Sequence, residues 1–268
     1  DASGAIARGN ATITITGGNI TAANATSLSA LTTGVVTATA SDTAANLAGM
    51  TLAATDVITM TVTAGAVTAS NLNTANGLGA GVLNASAATS ITGSASDLTT
   101  LASAVTAGQV TIASNVPVTV TGTPALADLA TIDAMTTGAL SYTAVSGAIS
   151  SLLSSAYVTG SVNVTVSGGA TRAQIESLDA LTTGTLTYSL SESTSNLVNN
   201  SVSNLDGQNV TVSDTVTAAQ LITINANNGA GTVTATSVSD TAANVAAVIA
   251  DASGAIARGN ATITITGG

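Results

Sequence analysis

The sequence predicts an α/β solenoid: about ten strand–short-helix modules of about 25 residues, stacked into one parallel sheet that curves or twists. Three observations predict it. Alternating runs such as Thr12-Ile13-Thr14-Ile15-Thr16 recur at that spacing, and capping residues with a helical apolar period follow many of them. Residues 251–268 also repeat residues 1–18 letter for letter. Repeats of 20–45 residues cannot bury a core singly and gain one by stacking. An all-β parallel solenoid is the competing reading.

The strands come first. Period-2 alternation puts Ile13 and Ile15 on one face and the threonines on the other. Val162, Val164 and Val166 repeat the pattern, as do Leu186, Tyr188 and Leu190. Strand starts are expected near Thr12, Val35, Val57, Val82, Val110, Leu140, Val162, Leu186, Val210 and Val233. Helices follow. Thr171 can cap a helix carrying Ile175, Leu178 and Leu181 inward, and Leu126, Leu129, Ile132 and Met135 mark a second, with Pro124 near its first turn. Ser41-Asp42-Thr43 and Ser239-Asp240-Thr241 offer capping oxygens to helices that turn Leu47, and Val245 with Val248 and Ile249, inward. Thr-Thr-Gly at 32–34, 136–138 and 182–184 supplies a glycine stop before the next strand.

Geometry constrains such a stack. Parallel strands lie about 4.8 Å apart, whereas packed helices need about 8–10 Å. Right-handed crossovers hold the helices on one face, so they must be thin, which suits Ala, Ser, Asn and Thr and leaves no room for rings. The identity of residues 1–18 with 251–268 predicts one continuous solenoid over 1–268: a tandem unit at 1–250 and the start of the next at 251–268.

Composition excludes several functions. The chain has 3 Lys+Arg against 13 Asp+Glu, a formal charge of −10, with no His, Cys, Trp or Phe. Imidazole and thiol chemistry, Cys/His zinc sites and disulfides are therefore absent. No basic patch can neutralise a nucleic-acid backbone. The most apolar stretch, Ala242–Ala250, stops at Asp251, short of the ~20 residues a spanning helix needs. No transmembrane segment is expected.

Few residues are left for chemistry. Asp128 with Asp133, and Glu176 with Asp179, are the paired carboxylates; they read as solvated helix surface rather than acid/base or calcium groups. Asp42 and Asp240 read as helix caps. Threonines 12, 14, 16, 37, 39, 59, 61 and 63 could form rows like those of ice-binding solenoids, broken at Asn84, Ser86 and Tyr142. Sequons stand at Asn10, Asn19, Asn24, Asn84, Asn163, Asn199 and Asn209, and Gly77-Leu78-Gly79-Ala80-Gly81 lacks the Lys-Ser/Thr of a phosphate loop. The expectation is no enzyme, with no catalytic, cofactor-binding or metal-binding residue and no cofactor.

Ser-Asp-Thr-Ala-Ala-Asn at 41–46 and 239–244, in an acidic, Cys-free chain rich in Thr, Ala, Ser and Gly, resembles the repeats of giant bacterial, including cyanobacterial, surface proteins of S-layer or adhesin type. The resemblance implies an extracellular or cell-surface location and a structural role. The expected function is a repeat segment of a long filament. Its partners are neighbouring identical repeats or head-to-tail copies, with lateral fibre contacts. An adhesin or ice-binding module using the Thr-rich strand face is the alternative.

Overall fold

A computed structural model describes residues 9–78, 81–198, 207–249, 256–257 and 261–266. Contacts divide the chain into two compact units, Asp1–Thr143 and Ala144–Gly268. The first runs β1 (Ile13–Thr14), α1 (Ala22–Leu31), β2 (Val36–Asp42), α2 (Ala44–Ala48), β3 (Val57–Val62), β4 (Gly65–Thr68), α3 (Ala69–Asn76), β5 (Leu83–Ala85), β6 (Ala88–Ser94), α4 (Ala95–Thr106), β7 (Val110–Ile112), β8 (Val118–Thr121), α5 (Leu126–Asp133) and β9 (Leu140–Ser141). Two parallel sheets result, ordered β1-β2-β3-β5-β7 and β4-β6-β8-β9.

The second unit runs β10 (Ala144–Ala148), α6 (Ile149–Leu153), β11 (Asn163–Ala170), α7 (Arg172–Asp179), β12 (Leu186–Glu192), α8 (Thr194–Val198), β13 (Asn209–Val216), α9 (Ala218–Asn228), β14 (Val233–Asp240), α10 (Ala242–Ile249), β15 (Ile256–Ala257) and β16 (Thr262–Ile265). Its seven strands form one parallel sheet in chain order from β10 to β15, with β16 also paired to β14.

A strand begins within one residue of each of the ten expected positions. The continuous ten-strand solenoid is nevertheless corrected: the described residues form three separate parallel sheets with ten helices, in two compact units. The all-β reading fails on the same helices. The missed feature is a corner. From β3 to β8 the chain lays down two strands between helices, one in each sheet, as in β3–β4, β5–β6 and β7–β8. Gly65, at φ 154, opens β4 with a backbone that L side chains avoid. In the second unit the corner survives as a bulge, where the β11–β12 register shifts between Thr165 and Gly169 and Gly168 sits at φ 83. Alternating apolar residues read the same on either side of such a corner, so periodicity does not reveal it.

The core follows the alternation. Ala38 and Ala40 of β2 pair with Ile58 and Met60 of β3, all four buried. Small residues beside large ones fill the layer without rings. Leu47, Leu72, Leu98, Leu129, Leu152, Ile175, Leu197 and Leu221 are the buried anchors of α2 to α9. Val245 and Val248 anchor α10; the side chain of Ile249 lies outside the described residues. Leu181, expected inward, is 41% exposed because α7 ends at Asp179, before the face comes round again.

Candidate functional site

The functional side chains stand where strands hand over to helices. Asp42 ends β2, and its Oδ1 accepts from the Thr43 N–H at 2.8 Å and the Asn46 Nδ2 at 2.7 Å, while Oδ2 accepts from the Ala22 N–H at 3.1 Å. The carboxylate thus serves the helix after it and reaches back to the first N–H of the helix before it. Asp240 does the same with Thr241, Asn244 and Ala218. The N-caps themselves are threonines: Thr43 accepts from the Asn46 N–H, and Thr241 from the Asn244 N–H. Asp42 and Asp240, expected as caps, stand one residue earlier.

Glu192 repeats the device through Ser193, Asn196 and the Arg172 N–H. Asp214 Oδ1 accepts from both the N–H (2.7 Å) and the hydroxyl (2.6 Å) of Thr194. Sequence reasoning missed Glu192 and Asp214. An acid four residues ahead of Asn-Leu, as in 192–197, was the available signal for Glu192. Hydrogen bonds hold these carboxyls below their usual range: Asn46 chiefly for Asp42, Asn244 for Asp240, the Thr194 hydroxyl for Asp214. At Glu192 burial pushes upward but is outweighed by the Ser193, Asn196 and Arg172 donors.

A hydroxyl–carboxylate pair of another kind lies inside the first unit. Asp56 is fully buried. Its Oδ2 accepts from the Ser29 hydroxyl at 2.6 Å and the Ala53 N–H at 3.0 Å, and its Oδ1 from the Val36 N–H at 2.8 Å. The Ala53 N–H also donates to Ser29 Oγ at 2.9 Å. One turn earlier on α1, Thr26 Oγ1 accepts from the Thr51 N–H. A cleft of about 490 Å³ opens between α1 and α2, lined by Ala22, Thr26, Asp42, Asn46 and Met50 among others; Ser29 and Asp56 are not in its lining.

The Thr-Thr-Gly segments do more than stop helices. Thr182 is buried; its hydroxyl donates toward Gly160 O (3.1 Å) and Val162 O (2.7 Å) and accepts from the Gly184 N–H. Thr32 and Thr136 make the same latch.

The remaining expected residues are dispersed. Asp133, Glu176 and Asp179 are exposed and Asp128 half-buried, and Glu176 pairs with Arg172 at 3.3 Å. Among the described residues no group of three or more acidic side chains could hold a metal, and no helix is long and apolar enough to cross a membrane. Threonine rows are broken: Thr39 pairs with Thr59, but Thr37 meets Val57 and Thr61 meets Asn84. The amides of Asn163 and Asn209 accept from Thr185 and Thr232 N–H groups, and Asn84 accepts from Ser86. Asn199, Gly79 and Ala80 lie outside the described residues.

No protein family, curated protein or solved structure matches the chain. The resemblance to giant bacterial surface repeats is corrected by the fold: the described residues form two compact units holding three separate parallel sheets. The expected filament role, its adhesin or ice-binding alternative, and partnership through identical repeats and lateral fibre contacts fall with it. The expectation of no enzymatic role is corrected as well. Parallel α/β sheets carrying the buried Ser29–Asp56 pair in the first unit and the part-buried Thr194–Asp214 pair in the second fit a catalytic-type domain.

Proposed function

We propose that the chain is a catalytic-type domain of hydrolase character, with Ser29 as nucleophile and Asp56 as its proton acceptor. The 2.6 Å hydrogen bond from the buried Ser29 hydroxyl to Asp56 carries this reading. Without His or Cys, a carboxylate is the one side chain here that can take a serine proton near neutral pH. In the step, Ser29 Oγ bonds to an acyl carbon and its proton passes to Asp56 Oδ2. The bond from the acyl carbon to its leaving oxygen breaks as that oxygen takes the proton from Asp56, and water then cleaves the Ser29 ester, releasing the acid and returning a proton to Ser29 Oγ.

A second reading is favoured by the saturation of Asp56, whose oxygens accept three donors in full burial. There the pair is a clasp fixing the 51–56 loop to α1. One experiment separates the two. A fluorophosphonate probe and p-nitrophenyl acetate are applied to the native chain and to Ser29→Ala. The hydrolase reading expects label on Ser29 and turnover at least tenfold above the variant's. An unlabelled Ser29, with equal turnover in both, overturns it and leaves the clasp.

A further inference from the structure

We propose that the second unit carries an acid-release device: Glu192, Asp214 and Asp240 tie down the starts of three successive helices, and protonating these carboxylates loosens the starts of α7, α8 and α9 while α3 and α4 of the first unit keep theirs. The placement carries the argument. Each carboxylate sits at or near the C-terminal end of a strand and accepts from the first N–H of the preceding helix: Arg172 at 3.3 Å, Thr194 at 2.7 Å and Ala218 at 3.0 Å. A helix start leaves N–H groups without intrahelical partners and carries partial positive charge, so an anion there both satisfies donors and opposes the dipole. A protonated carboxyl loses the charge and turns one acceptor oxygen into a donor facing an N–H. Neighbouring carboxylates bridge neighbouring helix starts, so their release falls on adjoining crossovers.

The first unit is built differently. Only Asp42 makes such a bridge among its described helices. The start of α3 is held by the Thr68 hydroxyl and that of α4 by Ser94, whose hydroxyl also donates to Asp97 Oδ2 within the helix, and α5 has no side-chain cap. Hydroxyls do not titrate in this range, and Thr171 and Thr217 cap α7 and α9 in the same way; what the second unit adds is a carboxylate on the first N–H of each of these three helices. Asp56 of the first unit is sealed in the interior and fixes a loop rather than a helix start.

Few other charges intervene. The elements packed on Glu192 bring Arg172, Glu176 and Asp179 from α7 and Asp214 from β13, with none from β11 or α8. Those packed on Asp214 bring Tyr188 and Glu192 from β12 and Asp240 from β14, with none from α8 or α9. Around Asp240, β13 brings Asp214, while α9, α10, β15 and β16 bring none. Arg172 is the single cation among them. Protonation therefore leaves no second anion at the helix starts to take over.

The hydrogen bonds also favour the charged forms, which sets the direction. A carboxylate held below its usual range adds stability above the unfolded value, and that stability is lost as pH falls through the folded one. The window is from about pH 5 downward. The test is hydrogen exchange on the full chain, corrected for intrinsic rates, stepped from pH 7 to pH 3. Amides of 172–179, 194–198 and 218–228 are expected to lose protection at least tenfold before those of 69–76 and 95–106. Loss at the same pH in 69–76 and 95–106, or earlier there, overturns the proposal. A triple variant, Glu192→Gln with Asp214→Asn and Asp240→Asn, should expose the same three helices already at pH 7. Asp214→Asn alone should expose the start of α8, which keeps the test decisive if the triple variant does not fold. Unchanged protection at 194–198 in that single variant also overturns it.

Discussion

The buried threonine of each Thr-Thr-Gly segment shows how much one side chain carries here. Thr182 closes three hydrogen bonds at once, to Gly160 O, Val162 O and the Gly184 N–H, whereas the neighbouring hydroxyl of Thr183 makes an exposed bond to Gly160 O. Thr182→Val keeps the shape and leaves those groups unsatisfied, which costs about 1–3 kcal/mol. Thr183→Val should stay within about 0.5 kcal/mol, as exposed substitutions do. Urea denaturation of the pair checks the contrast, and equal midpoints would refute the latch. Gly184 is bound to the same device by contact rather than by φ. A Cβ there would lie 2.2 Å from Val162 O, a distance that requires the crossover itself to move. Gly184→Ala should therefore cost more than about 2 kcal/mol, and a midpoint equal to wild type would show that the loop is not packed as described.

At the scale of elements, helix starts are where the sequence speaks most directly. Thr171 caps α7 and exchanges hydrogen bonds with Gln174, and Thr217 does so with Gln220, reciprocal pairs readable as Thr-x-x-Gln. Ala125 occupies the cap position of α5 at φ −75° and ψ 154°, nearly the angles of Thr21 at the start of α1, yet donates no oxygen to an N–H. The backbone is already set for a cap, and Ala125 is exposed. Ala125→Ser should thus stabilise the chain by about 0.5–1.5 kcal/mol, read as a higher urea midpoint with unchanged slope; no gain would mean that another group already serves that helix start. Strand starts were legible from alternation because a two-residue period survives in Thr, Val and Ile. The corners at Gly65 and Gly168 were not, since alternation continues through them and only a glycine marks the turn. The carboxylate bridges were half legible. Asp42 and Asp240 are visible as cap-like acids, but their second partner lies 20–22 residues upstream and is set by strand register. Ser29 and Asp56 left no signal at all, as their spacing of 27 residues belongs to the crossover rather than to a motif.

For the whole molecule, composition and structure together dictate the pH response. With no His, Cys or Lys, no side chain has an ordinary pKa between about 4.5 and 10. Stability should therefore be flat from about pH 5.5 to 9. On the acid side Asp42, Asp214, Asp240 and Glu192 are held low by their hydrogen bonds. Their contribution is complete above the unfolded value and disappears as pH falls through the folded one. On the alkaline side the sign reverses. Burial pushes Tyr142 and Tyr188 up, with the nearby charges of Asp133 and Asp179 adding to it. A group raised in the folded state contributes below its unfolded value and loses that contribution as pH rises through the folded one. The net charge of −10 adds self-repulsion in the same alkaline direction as the tyrosines ionise. Thermal midpoints across pH 3–11 should trace a plateau with two falling shoulders. Tyr142→Phe combined with Tyr188→Phe should move only the alkaline shoulder outward. A midpoint that slopes through pH 6–7 would require a titrating side chain that this sequence does not contain, and would refute the assignment of both shoulders.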